Sequence, residues 1–262
     1  RNNARYISVE YYVKGLGSLK VYTDIAKVKA EWDKFNVSDF IHSSFLEAFY
    51  INHPNIKHLF VISKDIRLYA NIFKLSFSKT ISYLRNKRLG FFVKFLNFDV
   101  LYLTNSFITN IPAFVVKNKI NLDKFLSVLQ CKYTLLVIPD FVFNNITTEK
   151  NQFSKVEVEG DMVLEIHDNW SNLDSYVSDF RKKYRKQIKK FLNSGREIEI
   201  RPMNTNDLVI YSDNIKALFL QVINESKFSG PLFNTESFLS LIKKDIFKVY
   251  GYFLNNELIA FS

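Results

Sequence analysis

The chain has little of what builds metal centres, disulfide frameworks and phosphate cradles. Its 262 residues include one cysteine, four histidines, seven glycines and five prolines. Cys131 makes no internal disulfide, and a chain of this length buries enough surface to need none. A packed core thiol and a cytoplasmic location are the expectations that fit. His42, His53 and His58 are scattered without metal-ligand spacing, so no metal is expected. His53 precedes Pro54 and reads as a helix exit. There is no glycine-rich phosphate loop. No uninterrupted apolar run reaches the ~18 residues of a membrane span, and no RNA-recognition consensus or zinc finger is present.

Apolar residues are plentiful. They make up 47% of the chain, with 26 Phe and 14 Tyr, enough for a substantial core and too many for disorder. A net charge of +10 and a pI near 9.4 favour an anionic partner: nucleic acid, a phosphorylated small molecule or an acidic membrane surface. Because lysines are spread over most of the chain, general solvation of that charge is the plain alternative.

Helical and strand periods alternate, which predicts an α/β protein with a mixed sheet. Strands are expected over 19–22, 58–63, 68–77, 99–103, 113–116 and 133–139, the last (YTLLVIP) as a buried strand. Helices are expected over 25–35, 44–51, 86–96 and 122–129, with Asn121 capping the last of these. Asn144 to Gly160 is polar and marks a boundary. Beyond it come a strand at 161–166, a long helix at 171–192, a strand at 196–202, helices at 207–224 and 234–246, and a hairpin at 248–261 turning on Asn255-Asn256.

The helix at 171–192 organises this second half. Leu173, Tyr176, Val177, Phe180, Tyr184, Ile188, Phe191 and Leu192 recur every three or four places and predict a buried face. Ser171 is the expected cap, and Asn193-Ser194-Gly195 the stop. Arg181, Lys182, Lys183, Arg185, Lys186, Lys189 and Lys190 put seven cations into ten residues. Positions 181, 185 and 189 fall within about 45° of one face at 100° per residue, a stripe suited to phosphate. The plain alternative is a solvated face. Glu165, His167, Asp168, Asp174 and Asp179 lie nearby, and none has a spacing that marks a general base.

An apolar segment, an Asn-Trp, a helix reading S-x-x-R-K-K-Y-R and a charged strand after Gly195 occur here in order. The residues are Asp161–Ile166, Trp170 and Phe180–Arg185, followed by the paired strands of Lys248–Phe261. This order resembles the Fem-like branch of the GNAT acyltransferase superfamily, the peptidoglycan biosynthesis/recognition group of bacterial proteins. The resemblance extends more weakly back to about Val21.

It implies tandem GNAT-like domains: a first over 1–148, a linker over 149–160, and over 161–262 the N-terminal half of a second. It implies acyl or aminoacyl transfer to an amine of a cell-wall precursor or small metabolite, with acyl-CoA or aminoacyl-tRNA as donor. Arg181, Lys183, Arg185 and Lys186 would bind phosphate, while Trp170 and Tyr184 would line the pocket. The family's donor loop, a basic or Gln residue followed by two glycines, would follow the fourth strand. In the first domain RNKRLG at 85–90 is the only approximation and lacks the glycine pair, and in the second the loop would lie beyond Ser262. The rival expectation is a non-catalytic protein on the same fold that binds tRNA, another polyanion or a membrane surface. A third is a scaffold that pairs through the strand at 257–262.

Overall fold

The computed structural model describes residues 9–13, 17–35, 38–76, 97–129, 131–149, 153–156, 163–225 and 230–262. The expected helix at 86–96 and the RNKRLG segment lie outside the described residues. The chain is a mixed α/β protein that divides into two compact units, 1–151 with 204–249 and 152–203 with 250–262.

The first unit is built on a seven-stranded sheet. Its strands are β1 (Val9–Val13), β2 (Gly17–Tyr22), β3 (Lys57–Ile62), β4 (Ile66–Ser76), β5 (Asn97–Tyr102), β6 (Phe114–Val116) and, after the short β7 (Ile120–Asn121), β8 (Leu135–Val137). They run β1-β2-β3-β4-β5-β8 and are antiparallel up to β5. β8 joins β5 in parallel, and β6 pairs with the first residues of β4. β7 and β9 (Ile146–Thr147) form a separate parallel pair.

Alternation along the strands sends successive side chains to opposite faces, and both faces are covered. On one, Leu19, Leu59, Val61, Leu68, Ala70 and Leu101 pack against Leu122, Phe125 and Val128 of helix α3 (Leu122–Val128). On the other, Phe60, Ile62 and Tyr69 meet helices α1 (Lys29–Trp32) and α2 (Ser43–Asn52) through Trp32, Phe45 and Phe49. Trp32 is fully buried, and its indole N–H donates to the Ile41 carbonyl at 2.7 Å. Burial of each such side chain contributes about 1.5–3 kcal/mol before chain entropy is charged against it.

Further helices belong to this unit: α4 (Asp140–Phe143), α7 (Thr205–Ile210), α8 (Ser212–Glu225) and α9 (Ser237–Lys243). α9 lies on α2. Leu241 enters the core, and the Lys244 ammonium reaches Glu47 at 3.1 Å and the Ser44 carbonyl. Glu47 also pairs with Lys29 at 3.1 Å. Burial alone would raise the Glu47 carboxyl, but hydrogen bonds and charge from these two lysines outweigh it and hold it below the usual range.

The second unit contains helices α5 (Leu173–Ser178) and α6 (Lys182–Ser194) and a sheet ordered β10 (Glu199–Met203), β11 (Val249–Leu254), β12 (Glu257–Phe261). The β11–β12 hairpin turns where expected. Asn255 and Asn256 have φ of 50° and 64°, the left-handed pair of a two-residue type I′ turn.

Three expectations are corrected. The strand at 133–139 shortens to Leu135–Val137 and is an edge, with Leu135 41% exposed. Among the described residues it pairs only with β5, and Leu136 joins Tyr133 and Ile138 on the core. Of the strand expected at 161–166, the described residues Val163–Ile166 have no ladder partner and are solvent-exposed. The helix at 171–192 is two helices, broken at Asp179–Arg181, where Arg181 turns to an extended ψ of 145°.

Candidate functional site

Asn172, not Ser171, caps α5. Its side chain accepts the Ser175 N–H at 2.9 Å, while the Ser175 hydroxyl receives the Asn172 N–H at 3.1 Å, a reciprocal capping box. A ladder of edge-to-face rings runs beside it: His167 to Trp170 at 4.7 Å, Trp170 to Tyr176 at 4.8 Å, and Tyr176 to Phe180 at 4.9 Å. The Trp170 indole N–H donates to the Asp179 carboxylate at 2.5 Å. Phe180 ends the ladder immediately before Arg181, the first residue of the cationic run.

In α6 the lysines are in water and Arg185 is half-buried. No residue of the helix is buried, and no acidic side chain occupies its first turn. Arg185 donates to the Ser178 carbonyl at 3.2 Å at the end of α5. Among the described residues, none of Lys182, Lys183, Lys186, Lys189 and Lys190 makes an ion pair with a carboxylate. Two rules of helix electrostatics are broken here. Lys182 and Lys183 stand at the positive end of the macrodipole, and like charges repeat four residues apart at 182/186, 185/189 and 186/190. An arrangement that costs the helix stability and leaves its charges uncompensated suits an anion supplied from outside.

Arg181, Lys183, Arg185 and Lys186 therefore share one segment, exposed at all but the half-buried Arg185. The expected buried face of α6 is not buried: Tyr184 is 50%, Leu192 47% and Phe191 72% exposed. Tyr184 and Trp170 do not come together. Trp170 is held by Tyr176 and Asp179 on the α5 side, and among the described residues no ring contact joins it to Tyr184. Of the carboxylates considered as bases, Asp179 is engaged by the indole.

A second polar constellation lies in the first unit, where sequence reasoning found nothing. His58 on β3 is the direct cross-strand partner of Asn71 on β4. Its Nε2–H donates to the His53 carbonyl at 3.2 Å, and its Nδ1 accepts from the Tyr69 hydroxyl at 2.6 Å and from the Asn71 amide at 3.3 Å. The Asn71 carbonyl oxygen in turn accepts from the Ser106 N–H and hydroxyl at 2.9 and 3.0 Å. His53 donates from Nδ1 to the Phe49 carbonyl at 2.8 Å and accepts the Asn234 N–H on Nε2 at 2.8 Å.

Burial holds both imidazoles neutral, pushing His58 down to about 4 and His53 in the same direction, and it pushes the Tyr69 hydroxyl up. Both nitrogens of each ring are committed, so neither can take a proton from a substrate. The network ties β3, β4, the loop after β5 and the segment before α9 together, and is a scaffold. The half-buried Cys131 thiol is pushed up chiefly by burial, which makes it a weak nucleophile. Among the described residues no three His, Cys, Asp or Glu side chains converge as metal ligands would.

No family model, curated protein or solved structure matches this chain. No helix among the described residues is long and apolar enough to cross a membrane.

Proposed function

We propose that this chain is an N-acyltransferase of the GNAT type, Fem-like in its tandem arrangement, which moves an acyl or aminoacyl group to an amine of a phosphate-bearing cell-wall precursor or metabolite. The observation that carries the proposal is the uncompensated cationic segment at the head of α6, directly after the ring ladder. Arg181, Lys183, Arg185 and Lys186 hold the phosphates; Arg supplies forked contacts and Lys mobile point charges. Trp170 and Tyr176 form an apolar wall beside them, oriented by Asp179. The order of elements supports this reading. Helices α1 and α2 precede the β3–β4 hairpin, and α7, α8 and α9 precede the β11–β12 hairpin, the repeat that a tandem pair implies. Catalysis on this reading comes from positioning amine and donor together, for which no dedicated base is needed.

A second reading, a polyanion- or membrane-surface-binding protein on the same architecture, is favoured by the exposed apolar side chains that α6 carries beside its cations, Phe191 at 72%, Tyr184 at 50% and Leu192 at 47%. The test is a thermal-shift and transfer assay with acetyl-CoA, aminoacyl-tRNA and a nucleotide-linked amino sugar, on the native chain and on Lys183→Gln/Arg185→Gln. Transfer from either donor, weakened at least tenfold in the variant with no fall in melting temperature, supports the enzyme. Salt-sensitive tRNA binding without transfer supports the second reading, and equal loss of stability and binding removes α6 as the site.

A further inference from the structure

We infer that α6 docks on an acidic phospholipid surface, lying in its plane with Tyr184, Ile188, Phe191 and Leu192 turned into the headgroup layer. This rests on the second reading above, which it narrows to one surface, and not on the proposed reaction. At 100° per residue those four side chains span an arc of about 100°, and the cations from Lys182 to Lys190 fill an adjoining arc of about 160°. Arg185 and Lys189 border the apolar arc beside Leu192. Their long stems can follow it while the heads stay with phosphate.

The rim of the apolar arc is in water: Phe191 is 72%, Tyr184 50% and Leu192 47% exposed, while Ile188 at its centre is half-buried. The occupant has to answer both faces. A nucleic acid neutralises the cations and leaves Phe191 and Leu192 wet. An acidic bilayer takes the charges at its phosphates and the rings just below them, the arrangement of an interfacial amphipathic helix. Thirteen residues make a helix about 20 Å long, shorter than the ~30 Å hydrocarbon core, so this helix lies on a membrane rather than through it.

The experiment is co-sedimentation of the full chain with vesicles of phosphatidylcholine alone or with one third phosphatidylglycerol, at low and high salt, beside a tRNA-binding assay. Binding is expected only to the acidic vesicles and is expected to fall with salt. The variant Phe191→Ser/Leu192→Ser should lose vesicle affinity at least tenfold and keep tRNA binding. Lys189→Gln/Lys190→Gln should lose about fivefold per charge on vesicles. All of these side chains are exposed, so the variants fold, and circular dichroism melting verifies it. No sedimentation with acidic vesicles overturns the inference. So does equal binding to neutral ones, and so does vesicle binding indifferent to Phe191 and Leu192, which would assign the surface to polyanions in general.

Discussion

His53 accepts the backbone N–H of Asn234, 181 residues away, on its Nε2 at 2.8 Å. The bond requires a neutral ring, because the other nitrogen already donates to Phe49. Asn234 adds a second tie from its amide to the Asn52 carbonyl at 3.2 Å, so the end of α2 and the entry to α9 close as one joint.

Acid should open that joint and the His58 network beside it. Both imidazoles have folded values below their unfolded value of 6.5, His58 at about 4. Between those two values the unfolded chain binds a proton that the native chain does not. Stability is therefore complete above about pH 6.5 and falls as the pH drops toward 4. For His58 alone the loss between pH 7.5 and pH 5 is about 2 kcal/mol, and His53 adds in the same direction. Urea unfolding at the two pH values measures it. His58→Gln should flatten the difference by about that amount while lowering stability at pH 7.5. A native protein equally stable at both values would mean the rings are not held neutral.

Much of the first unit was legible because strand period and turn chemistry are local. The β3–β4 hairpin, the α2 helix ending before His53-Pro54, and Asn121 accepting the Lys124 N–H at the head of α3 all follow from neighbouring residues. Asn255-Asn256 was readable for the same reason. The basic helix was readable in its charge and misread in its packing. The spacing of Tyr184, Phe191 and Leu192 describes an apolar arc but carries no information on what covers it. The break at Asp179–Arg181 was hidden because the apolar period continues through it. The His53–His58–Tyr69–Asn71–Ser106 network had no signal at all, since strand register and loop closure, not spacing along the chain, bring those groups within hydrogen-bond reach.

Two glycines should respond oppositely to alanine. At Gly251 a Cβ would sit 2.6 Å from Cε2 and 2.9 Å from Cζ of Phe253, and 3.0 Å from the Met203 sulfur. Phe253 cannot swing aside cheaply. It is buried beside a bulge in the β11–β12 register, with the Arg201 guanidinium 4.3 Å from its ring centre. Gly251→Ala should cost about 1–3 kcal/mol through overpacking. Gly195, at a φ of −90° that any residue adopts, offers its Cβ only the Phe191 carbonyl at 3.4 Å. Gly195→Ala should be neutral or stabilising by a few tenths of a kcal/mol, about what stiffening the unfolded chain gives. Urea midpoints of the two variants decide the matter, and an indifferent Gly251→Ala would show that Phe253 is not packed as described.

Removing charge from α6 should strengthen the fold and weaken its binding, a combination that few structural roles produce. Lys182 opposes the macrodipole at the start of the helix and faces Lys186 one turn on; neither has a carboxylate partner among the described residues. Each like-charged pair four apart costs a helix about 0.3 kcal/mol, and salt screens the cost. Lys182→Gln/Lys186→Gln should therefore raise the unfolding midpoint slightly at low salt, with the gain vanishing at high salt. Affinity for the anionic partner should fall about fivefold per charge removed if each contributes about 1 kcal/mol. Denaturation and binding measured on one preparation read both signs. A variant less stable at low salt would mean that the folded chain already compensates these cations, and an external anion would then have no claim on the helix.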